Sequence, residues 1–417
     1  MEIFKFGGAS VKDALGVRNF KRVLEKLEAK DLVIVISAMG KMTNAFEGLV
    51  QSFVNKDKTV EEHLKRIRNF HLDIIDELDF DQKGSIFEIV EGIFSDLSNF
   101  LIRNNSTDYD YIYDQIVSKG EMLSTRICSA YLNQSGINNK WLDVRKCIKT
   151  NSDFRRARVD WDTTERAIKN EIQGKEIVIT QGFIGSDNYG RTTTLGREGS
   201  DYTAGIFAYC LEAESVSIFK DVPGVLNADP REFNDTTLIE QISYKEAIEM
   251  AFYGASVIHP KTLQPLQRKS IPLRVRSFLD TKAKGTFVGS ELDIVPKTSC
   301  YIVKKNQILV SISDKEFHFV MENDISEIFR LLHELKLKVN LIQNSALSFS
   351  LCIEDNFNNF ERLLQNLKPG YKVKYNKNLV LYTVRHFDEK AVDELEKGKD
   401  LLLKQRSRET VQLIVKA

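Results

Sequence analysis

The chain has 417 residues, enough for two or three domains and a large core. Lys plus Arg and Asp plus Glu both number 59, so the net charge is zero and nothing global favours a nucleic-acid or membrane-surface role. The longest apolar runs, such as Leu32–Ile36, are strand length, far short of a membrane span. MEIFKF begins a strand at once and has no signal-peptide pattern. Five scattered cysteines (Cys128, Cys147, Cys210, Cys300, Cys352) without CxxC spacing, and six scattered histidines, offer no metal cluster. A soluble, reduced, cytoplasmic protein is the expectation.

Glu2–Phe6 reads as a short strand running into Gly7-Gly8, followed by a helix over 13–30 with Val17, Phe20, Val23, Leu24 and Leu27 on one face. A strand ending in a Gly pair before a helix is how α/β proteins present backbone N–H groups to phosphate. The spacing is neither GxGxxG nor GxxxxGK[ST], so dinucleotide and P-loop readings fail. Lys5 lies inside this strand. Leu32–Ile36 is a fully apolar second strand, as expected in a parallel sheet covered on both faces, and it ends in the small-residue turn 37–44, SAMGKMTN. A long helical region follows from Asn44 to about Gln134, with breaks at Lys83-Gly84 and Asn104-Asn105. Within it Glu121, Ser124 and Thr125 share one helix face. Trp141–Arg145 reads as a strand and turn, leading to an arginine-rich connector, Phe154–Arg158.

The stretch Thr180–Gly205 begins as a strand and then places six glycines among three threonines, Arg197, Ser200 and Asp201. It ends at the first turn of a helix running to Leu211. Glycine is costly in chain entropy and is found where backbone bends or approaches something closely. This is a polar site on a strand-to-helix turn. A strand at 215–220 ends in the turn Asp221–Val225, and Asp229-Pro230-Arg231 follows. Strands at 2–6, 32–36, 140–144, 176–181 and 215–220 alternate with helices, so their polar turns are expected to line one crevice outside the strands' carboxyl ends. A helix over 243–252 and a strand over 273–277 finish this domain near residue 290. Beyond it, strands at 308–313, 338–342, 347–353 and 372–375 with helices at 324–335 and 357–367 read βαββαβ, a ferredoxin-like outline. Strands at 379–385, 401–404 and 411–415 with a helix at 389–397 begin a shorter copy.

In this order, KFGGAS (5–10), SAMGKMTN (37–44), GE (120–121), DVR (143–145), TQGFIG (180–185), TTTLGREGSD (192–201), KDVPG (220–224) and ADPR (228–231) resemble the motifs of the aspartokinases. The remainder resembles the paired ACT domains that end the monofunctional members. The resemblance implies an α/β amino-acid-kinase-like three-layer sandwich with a mainly parallel central sheet over 1–292. A first ferredoxin-like ACT domain would cover 306–376, and a second, shortened one 298–305 with 378–417. It further implies phosphoryl transfer from ATP, with Mg²⁺, to the side-chain carboxylate of L-aspartate, the first step towards lysine, threonine and methionine, in a homodimer associated through the ACT-like domains. The acceptor carboxylate is ionised at neutral pH, so no general base is needed, and catalysis is positioning and charge neutralisation.

By the same resemblance, Lys5 and Asp201 are the catalytic pair, with Gly7 and Gly8 on the phosphate oxygens. Arg197 suits bidentate capture of a substrate carboxylate and Glu121 the α-ammonium, while Ser37, Thr43 and Ser200 line the same pocket. Lys220, Asp221, Leu226, Arg231 and Ser256 belong to the nucleotide side, and no protein side chain is assigned to a metal. Three positions depart from the family pattern: Ala9 for threonine, Leu226 for tyrosine and Ser256 for lysine, with Lys261 near enough in sequence to substitute. Glutamate, acetylglutamate and UMP are disfavoured as acceptors by KFGG with TLGR-GSD and DVR, and no GxGxxG after residue 290 signals a fused dehydrogenase. In the first ACT-like domain the effector candidates are Asp324, Asn340 and Ser345. Asn340 stands where lysine-sensitive members carry aspartate. A neutral hydrogen bond contributes about 0.5–1.5 kcal/mol against about 1.5–3 for a charge-assisted one. Lysine feedback is therefore expected to be weak or lost, the domains serving mainly for dimerisation.

Overall fold

A strand that carries a lysine between two phenylalanines must send the lysine to one face of its sheet and the rings to the other. In the structure, a computed structural model that describes residues 1–416 apart from 28–29, 81–82, 175, 256–257 and 317, β1 (Glu2–Phe6) does this. Phe4 and Phe6 join a helix-covered core with Leu32, Ile34, Ile36 and Phe219, while Lys5 faces the opposite layer. The chain divides into two compact units: Met1–Val225 with Leu238–Ile248 and Ser256–Pro296, and Leu226–Thr237 with Glu249–Ala255 and Lys297–Ala417.

In the first unit the strands are β1, β2 (Leu32–Ile36), β3 (Lys140–Leu142), β4 (Ile177–Gln181), β5 (Ile184–Ser186), β6 (Thr192–Thr194), β7 (Ser215–Lys220), β8 (Gln241–Ser243), β9 (Leu273–Ser277) and β10 (Thr286–Gly289). Eight of them form one sheet in the order β3-β4-β2-β1-β7-β9-β10-β8, parallel except at β9–β10, and β5 pairs with β6 as a separate hairpin. Phe6 lies opposite both Ile36 and Phe219, and Ile36 opposite Gln181, so the turns after β1, β2, β4 and β7 emerge level at one edge. That is the crevice expected from the alternating pattern.

The helices before β4 are α1 (Ala14–Leu27), α2 (Met42–Val54), α3 (Val60–Leu78), α4 (Lys83–Arg103), α5 (Tyr109–Val117), α6 (Lys119–Gln134) and α7 (Trp161–Glu171). The helical region expected from Asn44 is thus five helices, α2 to α6. The break expected at Asn104-Asn105 falls between α4 and α5, whereas Lys83-Gly84, expected as a break, begin α4; further breaks lie at residues 55–59 and at Ser118, where no Gly or Pro marks them. After β6 come α8 (Gly199–Leu211), α9 (Tyr244–Tyr253) and α10 (Pro260–Arg268). The apolar stripes of α1–α6 cover one face of the sheet, and α8 packs on β1, β2 and β7 from the other, with α7 and α10 outside it. Helix, sheet and helix make the three layers. No helix among the described residues is long and apolar enough to cross a membrane.

The second unit contains β11 (Cys300–Asp314), α11 (Glu322–Glu334), β12 (Lys338–Asn344), β13 (Phe349–Glu354), α12 (Phe360–Leu367), β14 (Tyr371–Arg385), α13 (Glu389–Glu396), β15 (Leu401–Arg406) and β16 (Thr410–Lys416). Its six strands form one antiparallel sheet, β12-β13-β11-β14-β16-β15. Two strands expected as separate, 372–375 and 379–385, are halves of β14, and the strand expected at 308–313 extends back to Cys300. Both long strands change direction at an asparagine in the left-handed region, Asn306 (φ 57°) and Asn378 (φ 57°), where their pairing register shifts. Asparagine tolerates that conformation, so the chain bends there without leaving the sheet. Residues 226–237 and 249–255, expected within the first domain, pack with this unit. Tyr301 donates its N–H to the Asn227 carbonyl at 2.7 Å, and Lys305 pairs with Glu232 at 2.7 Å.

One core residue makes stability pH-dependent. His71 of α3 is fully buried. Its Nδ1 donates to the Ile67 carbonyl at 2.8 Å, and its Nε2 has no partner among the described residues. Burial lowers its pKa to about 4, with the Ile67 bond opposing. A depressed value means that the stability is present above the unfolded value, ~6.5, and is lost as pH falls through the folded one, a change of about 3 kcal/mol. Denaturant unfolding at pH 7.5 and pH 4 is expected to show this loss, and His71→Leu to diminish it by about that amount.

Candidate functional site

Asp201 sits in the first turn of α8, 2 % exposed, and carries one lysine on each carboxylate oxygen. Lys5 Nζ lies 2.6 Å from Oδ1 and Lys220 Nζ 3.3 Å from Oδ2. Lys5 leaves the middle of β1 and Lys220 the end of the adjacent β7, so one carboxylate ties two strands to the start of the helix above them. Burial pushes the Asp201 carboxyl up, but Lys5 and Lys220 outweigh it and hold it below the usual carboxylate range. The helix N-terminus adds to this preference for negative charge.

Two close approaches explain why glycine stands beside this group. A Cβ on Gly182, just after β4, would lie 2.4 Å from the Ser200 Cβ, so only glycine lets α8 start where it does. A Cβ on Gly8 would lie 2.6 Å from the Ala38 carbonyl and 2.8 Å from that of Gly40. The turns after β1 and β2 are therefore packed backbone on backbone, and the Gly40 N–H donates to the Gly8 carbonyl at 3.0 Å. Instead of entering a helix directly, the Gly pair leads into one turn of 3-10 helix, Gly8–Val11.

Around Lys5, Asp201 and Lys220 opens a cavity of about 730 Å³. Ser37, Thr43, Glu121, Arg197 and Ser200, expected at the substrate, all line it. Glu121 is 3 % exposed; one oxygen accepts the Ala38 N–H at 3.4 Å and the other, Oε2, has no hydrogen-bond partner among the described residues. Burial raises its pKa to about 8, against the backbone bonds that lower it. Arg197 is exposed to the cavity and makes no ion pair among the described residues. Asp221 is exposed and does not reach the wall, whereas its neighbour Lys220 does.

Leu226 and Arg231 belong to the second unit, where Asp229 engages the Arg231 guanidinium at 3.0 and 2.6 Å. Ser256 lies outside the described residues, and Lys261 is on the cavity wall. The DVR motif also stays away from the wall: Asp143 and Arg145 pair with each other at 2.6 Å. Among the effector candidates, Asp324 accepts the Met321 N–H at 2.9 Å and the Tyr371 hydroxyl at 2.8 Å. Asn340 donates to Gln307 at 2.7 Å and accepts from Lys304 Nζ at 2.8 Å, and Ser345 closes a turn with Ser348. Burial lowers the pKa of Lys304 to about 8.

Several wall residues were not expected. Glu47 lies one helical turn after Thr43 on α2, a spacing that could have revealed it, and accepts the Tyr113 hydroxyl at 2.7 Å. Arg155 and Arg156 come from the arginine-rich connector, whose composition was the signal. Arg155 has φ 63° and stacks 4.5 Å from the Tyr113 ring centre. Glu198, at φ 53°, has an Oε2 atom without a hydrogen-bond partner among the described residues, and burial raises its pKa. Six basic and four acidic side chains line the cavity, a balance suited to anionic ligands that also carry an ammonium group. No group of three or more His, Cys, Asp or Glu side chains among the described residues could hold a metal ion.

Comparison with known proteins agrees with this geometry. The model of the amino acid kinase family matches residues 1–277. Lysine-sensitive aspartokinase 3 of Escherichia coli (strain K12) is 33 % identical over 355 residues, 84 % of this chain and 78 % of that one. Solved structures of E. coli aspartokinase III, with lysine and aspartate and with aspartate and ADP, superpose with TM-scores of 0.81 and 0.80, each at 29 % identity and covering 100 % of this chain and 96 % of that chain. A bridged lysine pair under an anion-suited cavity, on a mainly parallel sheet that matches this model from its first strand to its ninth, places the chain in the amino acid kinase family and, within it, among the aspartokinases.

Proposed function

We infer that the chain is an aspartate kinase, transferring the γ-phosphoryl group of ATP to the side-chain carboxylate of L-aspartate to give 4-phospho-L-aspartate and ADP. The observation that carries the reading is the Lys5–Asp201–Lys220 bridge at the floor of the cavity. The reaction brings a carboxylate to a phosphoryl group, both anionic, so fixed cations are the principal requirement. Lys5 holds the transferring phosphoryl group, Asp201 fixes the Lys5 ammonium, and Lys220 and Lys261 face the remaining phosphates. Arg197 takes a carboxylate of the acceptor in a bidentate fork, and Glu121 takes its ammonium. The side chains fit an Mg²⁺ carried in on the nucleotide rather than caged by protein, since Asp201 is committed to two lysines. Besides Glu121, Glu198 is a wall carboxylate with an unpartnered oxygen among the described residues. When bound, Mg²⁺ neutralises phosphate charge.

The second unit is read as two ACT-like halves, 306–376 and 298–305 with 378–417. In support, residues 300–304 of β11 pair with 381–385 of β14, and residues 309–314 with 371–376. Association of two copies through this unit is supported by its edge strand β12, which leaves Ile342 43 % exposed. Residence in the cytoplasm is supported by five free, buried cysteines. The E. coli relative is named lysine-sensitive. In this chain Asn340 is already occupied by the chain's own Lys304, and Asp324 by Tyr371 and Met321, which supports weak or absent lysine feedback.

Three outcomes are expected. Lys5→Ala abolishes aspartate-dependent hydroxamate formation, by about a thousandfold or more, and unchanged turnover would overturn the assignment. Because Glu121 must be ionised to hold an ammonium and burial raises its pKa to about 8, the aspartate KM is expected to fall as pH rises towards 8. The change approaches about tenfold per pH unit, and Glu121→Gln should flatten that profile. Titration of the purified enzyme with lysine should leave most activity at millimolar concentrations; strong inhibition at submillimolar lysine would contradict the reading.

A further inference from the structure

Asp114 lies on α5, in none of the motifs that point to the reaction, and it is fully buried. No ion pair reaches it among the described residues. Three donors satisfy it instead. The Thr194 hydroxyl donates to Oδ1 at 2.7 Å, and the N–H groups of Thr194 and Arg155 donate to Oδ2 at 2.8 and 3.0 Å. A buried carboxylate without a counter-ion is expensive unless its hydrogen bonds are complete, so a chain keeps one where several backbone segments must be held together.

Both segments held here are walls of the same cavity. Thr194 ends β6 and precedes the turn Leu195–Gly196–Arg197, and Thr194 and Arg155 themselves line the cavity. The connector and the turn are also joined directly: the Ala157 N–H donates to the Thr194 carbonyl at 3.0 Å. A Cβ on Gly196 (φ 80°) would lie 3.2 Å from the Arg155 carbonyl, so the path of the connector limits where the Arg197 turn can go. Arg155 is itself held at φ 63°, a conformation costly for a residue with a side chain. Strain of this kind persists where surrounding bonds over-determine it, and the Asp114 bond to the Arg155 N–H is one of them.

We propose that Asp114 is a positioning residue for the acceptor site, clamping the end of β6 and the 154–157 connector so that Arg197 is presented to the acceptor carboxylate. The inference rests on the reading of Arg197 as the acceptor's carboxylate ligand. Asp114 touches neither substrate nor nucleotide. It acts on the acceptor side, because the lysines of the phosphate side are held by Asp201 on other elements.

The test is steady-state kinetics on the full-length enzyme. Asp114→Ala is expected to raise the aspartate KM by about tenfold or more, while the ATP KM stays within about twofold. In an Arg197→Ala background the same change is expected to add less than about twofold, because there is no guanidinium left to position. A merely structural role would move both KM values together, or would cost the same with and without Arg197, and either result overturns the proposal. Should Asp114→Ala fail to fold, Thr194→Val removes one of the three bonds and carries the same comparison, with an expected rise of about threefold. If Arg197→Ala leaves the aspartate KM unchanged, the acceptor-site reading itself fails and the clamp falls with it. If Arg197→Ala raises that KM while the Asp114 and Thr194 variants are silent, only the clamp is wrong.

Discussion

The first unit depends on one buried carboxylate shared by two ammonium groups. Removing three charges from water costs several kcal/mol per ion, which only good geometry and complete pairing offset. Asp201 supplies that geometry by taking Lys5 at 2.6 Å and Lys220 at 3.3 Å on different oxygens. The arrangement in turn requires β1 beside β7, the alternation that turns Lys5 away from Phe4 and Phe6, and a helix start pressed against Gly182. The Phe6 and Phe219 rings stack 4.5 Å apart on the far face of the same two strands, so apolar packing below and ion pairing above fix one spacing.

Buried polar groups elsewhere follow the same logic with different results. Asp201 is balanced by cations and stays ionised. Asp114 has only neutral donors, and burial raises its pKa to about 6 despite the bonds from Arg155 and Thr194. Glu121 has fewer partners still and is pushed up to about 8. The ordering tracks how far hydrogen bonds and cations offset the burial of each carboxylate. The least satisfied one faces the cavity, where an ammonium group would complete it. In the second unit Lys304, Asn340 and Gln307 satisfy one another in a chain of hydrogen bonds.

Much of the fold was legible in the residues. The apolar strand Leu32–Ile36 is fully buried, and the strand at 273–277 falls where its pattern predicts. The level turns follow from parallel strands that run in register and end together. The helix breaks near 55–59 and at 118 were not legible, because they arise where packed helices change direction without Gly or Pro. The sequence pattern begins β11 only at 308 and reads β14 as two pieces, because the apolar alternation lapses at Asn306 and across residues 376–378. Only pairing with a neighbour shows that the sheet continues through the bend. Lys5, Asp201, Arg197 and Glu121 were singled out from their motifs, and they share one cavity. Glu47, Tyr113, Arg155 and Arg156 reach it from segments whose local sequence resembles an ordinary helix surface or connector.

By itself the sequence determined the chemistry available: a lysine two residues before a Gly pair, an acid at a helix start, an arginine in a glycine-rich turn, and no histidine among them. These follow from local rules, namely strand alternation, helix entry and the backbone freedom of glycine. Tertiary structure alone decided which groups meet. Asp201 and Lys5 are nearly two hundred residues apart, and it is sheet order that places them in contact. It also decided that residues 226–237 and 249–255 pack with the second unit, and that an aspartate on α5 holds the turn that carries Arg197. Such pairings depend on burial and register summed over the whole chain, which no short stretch of residues contains.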